Sequence, residues 1–205
     1  MEIPFVAADP PPLIEASGVD RLAMGDLRIE NVPVHTIPDT IRLTAPDGRV
    51  TQGAIGTSVL SRFLSTIDYP AEKIVLRRNG RVRPEHSVPM SYVGDHFLLS
   101  HGTVNGLDRM VFLVDTGAPT SGSPLPAPPS RPPAPRSPRA TAFTRRPWTR
   151  SVTRRRVPGL SGAFPSWFEH GFGFRIGGLP THEFFKPYAL TFDFGRMRIL
   201  MNTPR

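Results

Sequence analysis

The sequence predicts an all-β protein. Apolar and polar residues alternate over short runs, Asp-Gly and Asn-Gly pairs separate several of those runs, and few windows hold a 3.6-residue period. Pro4, Pro10, Pro11 and Pro12 preclude a long helix at the start. Leu27-Arg28-Ile29-Glu30 alternates toward Val32-Pro33-Val34, the pattern of a half-buried strand. Ile41-Arg42-Leu43-Thr44 and Val50-Thr51 flank Pro46-Asp47-Gly48, whose Asp-Gly pair suits a tight hairpin. Ser61 to Leu64 reads as a short helix running into Ser65-Thr66-Ile67-Asp68-Tyr69. Lys73-Ile74-Val75-Leu76 then pairs back as a strand across 68–72. Phe97 through Val104, the Asn105-Gly106 turn and Met110 to Val114 form a further hairpin.

A length of 205 residues admits one domain or two small lobes, with enough chain to bury a core. The absence of Cys excludes disulfides, thiolate zinc sites and a cysteine nucleophile. No run of 18 apolar residues occurs, so no membrane span is expected. Met1-Glu2-Ile3-Pro4 lacks the basic and apolar regions of a signal peptide. The formal charge is +8, but it is localised: Pro124 to Pro158 holds 9 Arg, 10 Pro and no acid. Outside that stretch 16 basic residues face 17 acidic ones, so the rest of the chain is near neutral and a nucleic-acid partner is not expected for it.

A weak internal repeat runs at an offset of 125 residues. It sets Leu60 on Phe185, Phe63 on Tyr188, Thr66 on Thr191, Ile67 on Phe192, Asp68 on Asp193, Tyr69 on Phe194, Lys73 on Arg198 and Ile74 on Ile199. So long a period implies two similar lobes rather than a solenoid.

The sharpest chemical feature is Val111-Phe112-Leu113-Val114-Asp115-Thr116-Gly117-Ala118. An apolar strand delivers a carboxylate into a turn whose glycine lets the backbone bend closely. On its own, such an Asp also reads as a turn cap. The octapeptide resembles the active-site loop of the pepsin/retropepsin-like aspartic peptidases, an apolar strand followed by Asp-Thr-Gly and a small residue. Asn105-Gly106-Leu107 resembles the hairpin leading into that loop. Ala54-Ile55-Gly56 is similar to the family's apolar-apolar-Gly element that threads beside it, and Gly56 to Leu76 and Gly178 to Leu200 resemble the segment that follows in each lobe. The second copy departs at Thr181, which stands where the repeat calls for the counterpart of Gly56.

The resemblance covers roughly residues 18–123 and 164–201 and implies pepsin/retropepsin-like β-barrel lobes. Residues 1–83 would be the C-terminal part of a first lobe, and 84–205 a second lobe interrupted, and so disrupted, by 124–158. It further implies an aspartic-type endopeptidase acting on a peptide or protein substrate without metal or cofactor. Asp115 would be catalytic, and Thr116, Gly117 and Ala118 would shape the loop and contact substrate. Two carboxylates that share one proton do the work in such sites: the ionised one takes a proton from water while the protonated one polarises the scissile carbonyl. No second Asp-Thr/Ser-Gly occurs in the sequence. Subtracting 125 from Asp115 gives position −10, so the mate is expected just upstream of Met1 in a longer reading frame, and the chain is expected to be an incomplete or inactive form. A homodimer, each copy giving one aspartate, is the second source.

Pro124 to Pro158 falls where the repeat requires core strands of the second lobe. It reads as an insert prone to polyproline II, as a basic arm for nucleic acid or anionic surfaces with Trp148 as a stacking residue, or as a frameshifted stretch, the last being favoured. A non-catalytic β-scaffold carrying that arm is the competing function. Loss of core strands further predicts that Phe164, Trp167, Phe168, Phe172 and Phe174 pack less well than Leu60, Phe63, Ile67 and Ile74. His35, His86, His96, His101, His170 and His182 show no metal-ligand spacing, and no phosphate-loop or serine-elbow motif occurs. Arg77-Arg78 and Arg81-Val82-Arg83 read as a solvated loop between lobes.

Overall fold

The computed structural model describes residues 15–36, 48–94, 97–104, 107–118, 121–123, 140–141, 159–161 and 171–203. These are mostly strand, with only short helices, as the alternating pattern requires. Two compact units divide the chain, Met1–Val59 and Leu60–Arg205. In the first, β1 (Glu15–Met24) and β2 (Leu27–Thr36) form an antiparallel hairpin that turns at Gly25, with Met24 opposite Leu27. Ile29 and Val32 are its buried residues; they lie three apart because the intervening Asn31 takes a left-handed conformation (φ 52°) that shifts the alternation.

The second unit contains one long sheet. Its strands are β3 (Leu64–Asp68), β4 (Lys73–Arg77), β5 (His86–Val93), β6 (Phe97–Val104), β7 (Leu107–Leu113), β9 (Ala140–Thr141), β11 (Ala189–Asp193) and β12 (Arg198–Asn202). The order is β4-β3-β11-β12-β5-β6-β7, with β9 also paired to β6. β8 (Ser121–Ser123) and β10 (Gly159–Ser161) pair separately and in parallel. The sheet is open: β4 and β7 are its ends and do not meet, so the closed barrel expected of each lobe is absent among the described residues. Strands on both sides of the expected 83/84 division share this one sheet.

The 125-residue repeat is present in the backbone. Helix α1 (Thr57–Leu60) maps onto α2 (His182–Phe185), β3 onto β11 and β4 onto β12, end for end. Both hairpins have the same register: Leu64 pairs with Arg77 as Ala189 pairs with Asn202. Each turn carries a left-handed residue at the same place, Glu72 and Met197, both at φ 50°. Each is closed by its strand-end aspartate, since Asp68 Oδ1 accepts the Ala71 N–H (3.2 Å) and Asp193 Oδ1 accepts the Arg196 N–H (3.0 Å). β3 and β11 then pair antiparallel with Thr66 facing Thr191, and the two buried hydroxyls are 2.8 Å apart. Repeat-equivalent residues paired across antiparallel strands place a local two-fold axis between Thr66 and Thr191.

Two apolar clusters hold the sheet. Phe112 and Val114 join Phe184, Phe185, Leu190, Phe192, Ile199 and Met201 on one side, while Leu113 joins Leu99, Ala118, Ile176 and Leu179 on the other. β7 and its continuation are thus covered on both faces, which is why 111–114 is an unbroken apolar run rather than an alternating one.

Two further expectations change. The short helix ends at Leu60 rather than spanning 61–64, because Leu64 is already committed to β3 opposite Arg77. The packing order holds only in part: Leu60, Phe63 and Ile67 are half-buried while Phe174 is exposed, but Ile74 is 64% exposed, whereas Phe172 is half-buried against the second cluster, its ring 5.0 Å from that of Phe97. Ile74 lies on the open end strand β4, and its repeat mate Ile199, on the interior strand β12, is fully buried. Phe174 is 37% exposed, and Phe164, Trp167 and Phe168 lie outside the described residues. So do 41–44, the Asn105-Gly106 turn and all of 124–158 except β9.

Candidate functional site

Asp115 stands two residues past β7, where the chain leaves the sheet. Its position is set by the segment 176–180, which runs parallel to β7 through a bridge between Phe112 and Gly178. The ladder comprises Gly177 N–H to Val111 O (2.6 Å), Leu113 N–H to Gly178 O (3.0 Å) and Asp115 N–H to Pro180 O (3.1 Å). On the other flank Val114 N–H donates to Leu98 O (2.8 Å). The backbone at 113–115 is therefore hydrogen-bonded from two sides.

The close approach that makes this possible occurs at Gly177. A Cβ there would lie 2.5 Å from the Met110 Cβ, a distance no side chain tolerates. The resemblance placed that role at Gly56 and at the position of Thr181. Gly56 has open space around its missing Cβ, and Thr181 is fully buried at the N-cap of α2 with extended backbone (φ −116°). The departure at Thr181 thus leaves the packing beside β7 intact, because the tight contact lies four residues earlier. The sequence offers only the adjacent glycines at 177 and 178 as a sign of this role, because the strand they approach is more than 60 positions away.

Within the turn, Asp115 Oδ1 accepts hydrogen bonds from the N–H groups of Gly117 (2.9 Å) and Ala118 (3.1 Å). Among the described residues Oδ2 has no hydrogen-bond partner, and no second carboxylate bonds to Asp115. Gly117 is exposed, and its N–H is directed at Asp115 rather than outward, so it orients the carboxylate. Thr116 is half-buried. Ala118 is buried in the second cluster, where it anchors the end of the turn.

Two side chains outside the sequence motif belong to this site. Tyr69, at the end of β3, has its phenol pushed up from 10.0 to about 12, first by burial and then by the negative charge of Asp115. His182, the first residue of α2, donates from Nδ1 to Ala118 O (3.0 Å), since a carbonyl oxygen only accepts. Its Nε2 lies 3.1 Å from Glu183 Oε1. Glu183 is held below the usual carboxylate range chiefly by the hydrogen bond from Lys186 Nζ (2.6 Å), with His182 adding to the effect. α2 thereby clamps the far end of the Asp115 turn. Nothing in residue spacing marks His182, because its partner is a backbone carbonyl 64 positions away.

Among the described residues no group of three or more His, Cys, Asp and Glu side chains could hold a metal ion, and no helix is long and apolar enough to cross a membrane. No protein-family model, curated protein or solved structure matches the chain.

Proposed function

We propose that the chain is an aspartic endopeptidase-like protein of the pepsin/retropepsin-like class, with Asp115 as one member of a water-activating carboxylate pair. The observation that carries this reading is the double N–H hold on Asp115 Oδ1, which fixes the carboxylate and leaves Oδ2 available to a water. The local two-fold at Thr66 and Thr191 supports it, because a shared-proton pair requires a symmetry mate of Asp115. In the reaction, water oxygen attacks the scissile carbonyl carbon and one of its protons passes to the ionised carboxylate. The protonated partner gives its proton to the carbonyl oxygen; collapse of the resulting diol breaks the C–N bond as the amine nitrogen takes a proton. Asp115 supplies half of this machinery, so the isolated chain is an incomplete or inactive form unless a second copy supplies the other half.

The test uses the full chain and a peptide whose scissile amide is replaced by a secondary alcohol, which imitates the diol. Saturable binding at acidic pH, weakened at least about ten-fold by Asp115→Asn, is expected. Equal binding by parent and variant would remove the reading, whereas binding by neither would retain only its inactive form. Peptide cleavage that rises more steeply than chain concentration would identify the second copy as the source of the other carboxylate.

A further inference from the structure

An open cleft of about 560 Å³ lies away from Asp115, between β12, the start of β5 and the loop that precedes β5. Three arginines line it, Arg81, Arg196 and Arg198, together with Glu85, Ser87 and Asp193. Both carboxylates are engaged within the fold. Asp193 Oδ1 closes the β11–β12 turn through the Arg196 N–H, and its Oδ2 takes Arg196 Nη1 at 3.0 Å. Glu85 Oε2 accepts the N–H (3.1 Å) and hydroxyl (2.6 Å) of Thr203. The donors are only partly used. Arg198 gives Nε to Ser87 Oγ (2.7 Å), which fixes the guanidinium plane and leaves its terminal nitrogens without a partner among the described residues. Arg81 makes no hydrogen bond or ion pair among the described residues. The lining carries a net single positive charge, with its acceptors occupied and its donors spare.

The repeat supplies an internal control. Arg196 corresponds to Ala71, whose N–H closes the first turn on Asp68 equally well, so the hairpin does not need the guanidinium. Arg198 corresponds to Lys73, which lies 3.9 Å from Asp68 on the open edge strand β4. Guanidinium groups are therefore specific to the second copy, where Arg196 replaces an alanine and Arg198 a lysine, at the place where the 81–85 loop carrying Arg81 returns over the strand. We infer that this cleft is a binding site for the oxyanion, phosphate or carboxylate, of a small ligand, held by Arg81 and the terminal nitrogens of Arg198. The volume suits a small molecule, and a guanidinium fork with a fixed plane matches the two oxygens of such a group.

Calorimetric titration of the full chain with inorganic phosphate and, separately, with succinate tests the site at constant ionic strength. Saturable binding of at least one anion is expected, the tighter of the two identifying the class of ligand. Arg81→Gln and Arg198→Gln are each expected to weaken it about ten-fold or more, and Lys73→Gln to leave it unchanged. Arg81 is exposed and bonded to nothing described, so Arg81→Gln remains decisive should loss of the Arg198–Ser87 bond disturb folding. No saturation by either anion, or equal weakening by Lys73→Gln, overturns the inference.

Discussion

The Tyr69 hydroxyl is a reporter of the Asp115 carboxylate, because its proton equilibrium registers first its burial and then the nearby charge. The folded chain holds the phenol proton more tightly than the unfolded one, whose tyrosine titrates near 10.0. Its contribution to stability is fully present below that pH and is lost as the pH rises through about 12. Replacing Asp115 by Asn removes only the smaller cause, so the midpoint is expected to fall part of the way back. The tyrosinate absorbance of the parent, of Asp115→Asn and of Tyr69→Phe as a blank measures this directly. An unmoved midpoint would separate Tyr69 from the site. Two of the four residues singled out in sequence have structural partners legible only in three dimensions. A turn of this tightness spends its own N–H groups on the aspartate, so the Gly117 N–H orients the carboxylate, and Ala118 is drawn into the core.

The element that decides whether Asp115 is held is the segment 176–180, which is neither helix nor full strand. Gly177 lets it lie against β7, and the ladder it forms ends on the Asp115 N–H. Gly177→Ala forces a methyl group into the Met110 side chain. Overpacking of this kind costs about 1–3 kcal/mol. Chemical denaturation is expected to show that loss, while Gly56→Ala, whose missing Cβ meets nothing within 4 Å, falls well short of it. Equal effects at the two glycines would return the close approach to the place the family pattern gives it. Alternation and turn pairs marked β2, β4 and the β6–β7 hairpin, since each has a polar and an apolar face or a strong local turn. They could not mark 176–180, whose pairing is with a strand more than 60 positions away and whose only local trace is a pair of glycines.

At the scale of the whole molecule, the repeat was faint in residue identities and is plain in geometry. Two helical turns, two hairpin registers and two left-handed turn residues coincide, although Gly56 has become Thr181 and Lys73 has become Arg198. Backbone hydrogen bonding is indifferent to most of those substitutions, which is why few identities survive a conserved path. What the repeat could not foretell is where the two copies differ in company: β12 is flanked by β5 and lined by the arginine cleft, while β4 ends the sheet with Ile74 outward. The basic stretch 124–158 sits between segments that do meet, since β8 and β10 pair on either side of it.

The axis between Thr66 and Thr191 also sets the order in which the chain can assemble. Each hairpin closes over a few residues, but joining them closes a loop of 125, an entropic toll of about 4 kcal/mol that nothing local offsets. The hairpins are therefore expected to form first and to dock late, with the hydroxyl pair among the last contacts made. Thr66→Val should then hasten unfolding while leaving the folding rate nearly unchanged, and stopped-flow denaturant jumps on both limbs would reveal it. A slowed folding limb would mean that the two halves meet before either is finished. On the expected order, the centre of symmetry is the seam where the sheet closes last and reopens first.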